Sequence, residues 1–182
     1  RLDGRARFGK GTLTLDGEWR PEVSPLAVTL NIDGERLQVA NRPDAKVWVS
    51  PALRLPGNGQ DLTLGGTLTV PEAHLEPREL PESAVSVSAD QVIIDAETED
   101  RAPLPFAMSV DVVLGDKVSF EGFGLTATLG GDLRVSQKVD QPAQLNGNLT
   151  IKEGRYRAYG QNLAIDNGRL MFQGPPENPG LD

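Results

Sequence analysis

The residues best suited to acid–base chemistry surround the single histidine. His74 lies between Glu72 and Glu76, and an imidazole beside a carboxylate is the pair that activates the serine in Ser–His–Asp hydrolases. The Gly-x-Ser-x-Gly turn that presents the nucleophile in many of these enzymes is not found in the sequence. We therefore interpret His74 as a polar residue of a proline-rich loop, exposed or half-buried, and expect the protein not to be an enzyme.

Two glycine patterns imitate nucleotide-binding motifs. Residues Gly4 to Lys10 have the spacing of a phosphate-binding loop, but Gly11 stands where the magnesium-binding Ser or Thr belongs. Residues Gly122 to Ala127 imitate a dinucleotide fingerprint. Both patterns continue into alternating, strand-like sequence rather than a helix, so no helix N-terminus would face the phosphates. We expect neither to bind a nucleotide.

An acidic run could ligate calcium or provide paired carboxylates for glycoside chemistry; it comprises Asp95, Glu97, Glu99 and Asp100. The glycine spacing of a calcium loop is missing, so a solvated turn is the simpler interpretation. The chain has no cysteine, which excludes disulfides, thiolate metal sites and cysteine nucleophiles. We expect no metal and no cofactor.

Four aromatic residues could stack on a sugar ring: Trp19, Trp48, Tyr156 and Tyr159. They are scattered along the chain, and we predict that they cap the ends of the core.

Composition places the chain among ordinary folded domains. Of its 182 residues, 38% are hydrophobic and 24% are charged, with a formal net charge of −8. This charge, without a basic cluster, argues against nucleic acid as a partner. Because the chain begins at Arg1 without a methionine, we interpret it as a segment of a longer protein, and treat residues 1–182 as one domain.

The elements that must position any site are β-strands. Apolar residues alternate with Thr, Ser, Asp, Arg or Lys along most of the chain, a period of two that buries one side of each strand. Six glycine dipeptides predict tight turns of an antiparallel meander: Asp16-Gly17, Asp33-Gly34, Gly115-Asp116, Gly130-Gly131, Glu153-Gly154 and Asn167-Gly168. Prolines interrupt the one helix-like stretch, 72–84, and we expect loops or sheet irregularities at 51–58 and 71–81.

A degenerate repeat, Gly-x-Leu-x-apolar, recurs without a fixed period. It begins at Gly11, Gly66, Gly131, Gly147 and Gly168. We interpret each copy as a turn followed by a strand with an apolar face.

About a dozen strands without helices must cover an apolar face by closing into a barrel, folding into a sandwich, or curling into a trough. Aromatic residues make up only 5% of the chain, too few to fill a wide trough. We predict an all-β fold: a single, antiparallel-rich, curled β-sheet, open or partly open, with a hydrophobic concave interior and essentially no helix.

The inward positions of this sheet are the candidate binding residues. They form a predicted hydrophobic groove for a flexible apolar guest such as an acyl chain: Leu13, Leu15, Leu30, Leu64, Leu68, Val87, Ile94, Val112, Phe120, Leu125, Leu133, Leu149, Ile151, Leu163, Ile165 and Leu170.

Three blocks of the second half together resemble the C-terminal domain of the TamB family, within the AsmA-like, bridge-like lipid carriers. The first comprises Leu80–Ser88, Asp90 and Val92–Ile94, and the second runs from Leu114–Phe120 through Gly122–Leu125 to Gly130–Leu133. The third combines Gly147–Ile151, Gly154–Tyr156, Tyr159–Gln161, Leu163–Ile165, Gly168–Leu170 and Gly174–Asp182. The order and spacing of these blocks are more specific than any single repeat.

The resemblance implies a periplasmic segment of an envelope-spanning protein anchored in the inner membrane. It further implies phospholipid transport between the two membranes, and outer-membrane protein assembly with the outer-membrane protein TamA. From the residues and the resemblance together, three readings stay open: a lipid conduit, a chaperone-like holder of unfolded membrane β-strands, and a structural spacer whose inward residues pack only on one another.

Overall fold

The computed structural model describes residues 2–20, 27–58, 62–77, 107–158, 160–175 and 180–181. These residues form twelve strands and no helix. The strands are β1 (Leu2–Phe8), β2 (Gly11–Arg20), β3 (Ala27–Glu35), β4 (Leu37–Arg42), β5 (Ala45–Asn58), β6 (Thr63–Leu75), β7 (Ala107–Gly122), β8 (Leu125–Gln137), β9 (Gln144–Ala158), β10 (Gln161–Ile165), β11 (Gly168–Gly174) and β12 (Gly180–Leu181).

All twelve strands belong to one sheet. The strand order is β1-β2-β3-β5-β6-β7-β8-β9-β11-β12, with β4 also paired to β5 and β10 also paired to β9. The order begins and ends on different strands that do not pair with each other, so the sheet is open. The predicted fold class, an all-β and mostly antiparallel open sheet, is confirmed.

One strand pair departs from the predicted antiparallel meander. Strands β6 and β7 are parallel, with Thr63 opposite Ala107 and Leu75 opposite Phe120. Strand β6 therefore ends at one end of the sheet and β7 begins at the other. A parallel pair needs a long connection instead of a tight turn, and the glycine dipeptides had suggested only tight turns.

The predicted turns are wrong at five of the six dipeptides, which lie inside β2, β3, β7, β8 and β9. Only Asn167-Gly168 falls at a strand boundary, between β10 and β11. The turn between β7 and β8 is formed by Phe123 and Gly124, with φ angles of 53° and 81°. Two consecutive positive φ angles define the type I′ turn that matches the twist of a hairpin.

Proline-containing stretches that we expected to be loops also lie in strands. Pro51 and Pro56 are in β5, opposite Leu68 and Thr29 respectively, and Pro71 is in β6. A strand residue directs its N–H toward only one neighbour, so a proline removes a single ladder hydrogen bond. The expected loop or irregularity at 51–58 is therefore wrong. Of the stretch 71–81, also expected to be a loop or a sheet irregularity, Pro71 lies at a register shift between β6 and β7 and residues 72–75 continue β6; residues 78–106 lie outside the described part of the chain.

Glycines of the repeat kink the strands from within. Gly66 and Gly131 have φ angles of 123° and 113°. A Cβ atom there would lie 2.3 Å from the carbonyl oxygen of Ala52 and 2.2 Å from that of Asn148, respectively. The reading of the repeat as a turn followed by a strand holds for Gly11 and Gly168, which begin strands, but is wrong for copies such as these.

The buried core of the described residues is small. Leu37, Val49, Val70, Ala73 and Val118 form one buried cluster, each between 3% and 9% exposed. Outside this cluster, most Leu, Val and Ile side chains of the described residues are only partly buried.

Candidate functional site: the apolar face of the sheet

Strand β8 separates the two faces of the sheet most clearly. Its odd-numbered positions include Leu125, Ala127, Leu129, Leu133 and Val135, and its even-numbered positions include Thr126, Thr128, Asp132, Arg134 and Ser136. Successive side chains of a strand point to opposite faces. The sheet therefore has one apolar face and one polar face.

Cross-strand pairing extends the apolar face over nearly all the strands. Directly paired residues share a face, which places Leu133 of β8 beside Val112 of β7, and Val112 beside Leu68 of β6. On the far side, Leu149 of β9 lies beside Leu170 of β11. The rows of Leu, Val and Ile thus run across the sheet, perpendicular to the strands.

The predicted groove residues that the structure describes all fall on this face by register: Leu13, Leu15, Leu30, Leu64, Leu68, Val112, Phe120, Leu125, Leu133, Leu149, Ile151, Leu163, Ile165 and Leu170. Val87 and Ile94 lie outside the described residues. That these side chains bind a guest stays a prediction.

Sequence reasoning missed several members of the face, two of them in the middle of β5. Leu53 and Leu55 pair with Ile32 and Leu30 of β3 and continue the apolar rows into β5. Their alternation is visible in the sequence, but Pro51 and Pro56 had suggested a loop instead. The alternation was the stronger signal.

Most side chains of the apolar face are only half-buried. At one end of the sheet exposure is higher: Leu163 is 56% and Tyr156 is 38% exposed, and the two are paired across β9 and β10. The prediction that aromatic residues cap the core is wrong for Trp48. Its ring lies on the polar face, edge-on to His74 with ring centroids 6.3 Å apart. The side chains of Trp19 and Tyr159 are outside the described set.

Cross-strand polar contacts stabilise the opposite face. The Nε and Nη2 atoms of Arg134 donate to the two carboxylate oxygens of Asp111, at 2.7 and 3.1 Å. This bidentate contact holds the pKa of Asp111 below its ordinary value and raises that of Arg134. These contacts join neighbouring strands on the polar face.

His74 lies in strand β6 on this polar face and not in the expected loop. Its Nδ1 atom is 2.8 Å from the hydroxyl oxygen of Ser119, and its Nε2 atom is 3.5 Å from a carboxylate oxygen of Glu72. The hydroxyl of Ser119 also lies 3.3 Å from the carbonyl oxygen of Ala73, to which it can donate. Which of His74 and Ser119 donates to the other depends on the tautomer of the imidazole.

The two sequence patterns that imitate nucleotide-binding motifs form strands and turns of the sheet. The phosphate-loop imitation forms β1 and its turn into β2, and the dinucleotide imitation forms the hairpin between β7 and β8. The acidic run 95–100 is outside the described residues. In the part of the chain that the structure describes, no three metal-ligating side chains cluster, and no helix is long and apolar enough to cross a membrane.

An open β-sheet with one polar face and one half-exposed apolar face places the chain in the class of all-β, open-sheet proteins. Comparison with known families identifies the family. The sequence model of the TamB C-terminal domain matches residues 3–182, and the chain belongs to this family.

A curated relative extends the comparison. The chain is 29% identical over 202 aligned residues to the translocation and assembly module subunit TamB of Haemophilus influenzae. The alignment covers 100% of this chain and 15% of the relative, so the chain spans about 15% of the length of that protein.

Proposed function

We propose that the apolar face of this sheet holds the acyl chains of lipids as they move along a longer protein. The observation that carries the proposal is the set of continuous Leu, Val and Ile rows whose side chains are mostly half-buried. An apolar surface of this extent on a folded domain marks an interaction site. The strand-kinking glycines Gly66 and Gly131 lie on the same face and favour a sheet curled around such a guest.

The mechanism is passive. Each methylene group that an acyl chain buries against the rows contributes about 0.8 kcal/mol, which gives useful but reversible binding for part of a chain. The charged side chains, such as Arg134 and Asp111, stay on the opposite face. A lipid headgroup would remain at the open side of the sheet, in water.

Membership of the family supports a proposal about the cellular location and the partner of the parent protein. The relative is named as a subunit of a translocation and assembly module, which supports a role of the parent chain in envelope assembly. We place this segment in the periplasm of a Gram-negative bacterium, within a protein anchored in the inner membrane, and assign outer-membrane TamA as the partner of the full-length chain.

Photo-crosslinking in intact cells tests the proposal. The probe is placed in the full-length protein at Leu149, which pairs with Leu170 on the apolar face, or at the next residue, Thr150, which pairs with Arg169 on the polar face. We expect lipid adducts at Leu149 and none at Thr150. Equal labelling at both, or none at Leu149 in a folded protein, overturns the lipid role.

A second candidate function is a chaperone-like holder of unfolded outer-membrane or autotransporter β-strands. The open strand order favours it, because β1 has only β2 as a neighbour among the described strands and an edge strand can pair with an added strand. In the same experiment, protein adducts at Leu149, or at Arg5 in β1, would support this function over lipid transport.

A further inference from the structure

The strands of the sheet are irregular at one common level. The pairing register shifts between Gln38 and Ala40 in β4, between Val70 and Glu72 in β6, and between Leu114 and Val118 in β7. It also shifts opposite β8, where Thr128 pairs with Glu153 and Leu129 with Ile151. Because these pairs are connected across the sheet, the shifts form one transverse band, which we call the bulge line.

Toward each edge of the sheet, the bulge line continues as a gap between two consecutive strands that pair with the same neighbour. Strands β3 and β4 both pair with β5 and are separated only by Arg36, which has a φ angle of 47°. Strands β10 and β11 both pair with β9 and are separated by residues 166–167. Bulges bend a strand and increase its twist, so a band of them bends the sheet along one line.

The buried cluster lies directly at the bulge line, on the apolar face. Val70 pairs with Leu114 immediately on one side of the line, and Ala73 pairs with Val118 immediately on the other. Leu37 pairs with Val49 at the same level. Here the apolar side chains pack on one another, and Leu68 and Val112 pack against them. Farther along the strands Val110 and Ala127 are also buried, but Leu64, Leu133 and Leu125 are only half-buried.

Two ion pairs lie on the polar face at the level of the bulge line. Each joins residues on the two sides of an intervening strand. Lys152 of β9 contacts Asp116 of β7 at 2.7 Å, across Gly130 of β8. A Cβ atom at Gly130 would lie 2.5 Å from Cε of Lys152, so the absent side chain leaves room for this contact. Arg36 contacts Glu72 of β6 at 2.7 Å, and its backbone N–H donates to the hydroxyl of Ser50 in β5.

We propose that the bulge line divides the apolar face into two separate guest-binding patches, with a self-packed bar between them. The longer patch contains Leu55, Leu64 and Leu133, which do not belong to the residues packed against the buried cluster, and extends about 20 Å along the strands. The shorter patch contains Leu125 and Ile165. The bar is the buried cluster at the bulge line. A bound guest chain contacts both patches but not the bar, so the part of the guest that passes over the bulge line does not touch the sheet. This inference rests on the proposed lipid function.

The test places a small diazirine side chain of leucine size in the full-length protein, in cells, at four positions. Leu133 reports the longer patch, Leu125 the shorter patch, Val118 the bar, and Thr128 the polar face. We expect lipid adducts at Leu133 and Leu125, and at least tenfold weaker labelling at Val118, close to that at Thr128.

A probe at a buried position can disturb packing, so Val70 serves as a second bar position, and resistance to limited proteolysis checks the fold of each variant. Labelling of Val118 and Val70 as strong as that of Leu133 in folded protein overturns the division while leaving the lipid role intact. Absence of lipid adducts at all four positions overturns the lipid role and the division with it.

Discussion

At the scale of single residues, the face on which a charge is placed should decide its effect. A carboxylate on the apolar face must be desolvated by any bound acyl chain, which costs several kcal/mol. We therefore expect Leu149→Asp to weaken lipid binding at least tenfold and Thr150→Asp to leave it nearly unchanged. The measurement is the yield of co-purified lipid per mole of folded protein, and equal losses in both variants would contradict the assignment of faces.

Two adjacent glycines offer a matched test of strand kinking. Gly66 has a φ of 123° and its added Cβ would lie 2.3 Å from a carbonyl oxygen, whereas the Cβ at Gly65 would meet its nearest backbone atom at an ordinary 3.6 Å. We expect Gly66→Ala to lower the free energy of unfolding by about 1–3 kcal/mol, and Gly65→Ala to change it by much less. Denaturant unfolding measures both, and a larger loss for Gly65→Ala would refute the kink.

At the scale of elements, the bridge from Arg36 to Glu72 makes the bulge line sensitive to acid. The hydrogen bond from Arg36 holds the pKa of Glu72 below its ordinary value, with smaller contributions from the charge of Arg36 and from His74, against an opposing effect of burial. Since the folded pKa is the lower one, this contact stabilises the fold above about pH 4 and is lost as pH falls through the folded pKa.

We expect Glu72→Gln to reduce the acid dependence of the unfolding midpoint below about pH 5. Glu121→Gln, at an exposed position of β7, serves as the control and should keep the wild-type profile. Identical pH profiles for the Glu72→Gln variant and the wild type would show that the bridge contributes nothing to folding.

Prediction from the sequence succeeded for the alternation of side chains within most strands and failed for the positions of most turns. The period of two identified the apolar positions of β2, β8 and β9 correctly, because side-chain alternation depends only on local backbone geometry. In β5 the prolines hid the same alternation at Leu53 and Leu55. Turn positions were mostly wrong, because a dipeptide such as Gly130-Gly131 has the same local preferences in a hairpin as within a kinked strand. Whether the ladder continues is decided by the neighbouring strands, which a local pattern does not contain.

At the scale of the whole molecule, an all-β open sheet could be predicted, because alternating strands without helices allow few architectures. The bulge line could not be predicted from the sequence. Its members, such as Arg36, Val70 and Lys152, are far apart in sequence, and each shift is defined only relative to a neighbouring strand. The contact between His74 and Ser119 could not be predicted from the sequence either, because it depends on the parallel register of β6 and β7.

That parallel pair also has a kinetic consequence. Strands β1–β6 pair only with partners close in sequence, as do β7–β12, and β6 beside β7 is the sole junction of these two sets among the described strands. Closing the connection of about thirty residues between them costs more chain entropy than closing a hairpin. The molecule should thus fold as two independently nucleated halves that dock late, and pulsed hydrogen exchange should protect the β8–β9 amides before the β6–β7 amides.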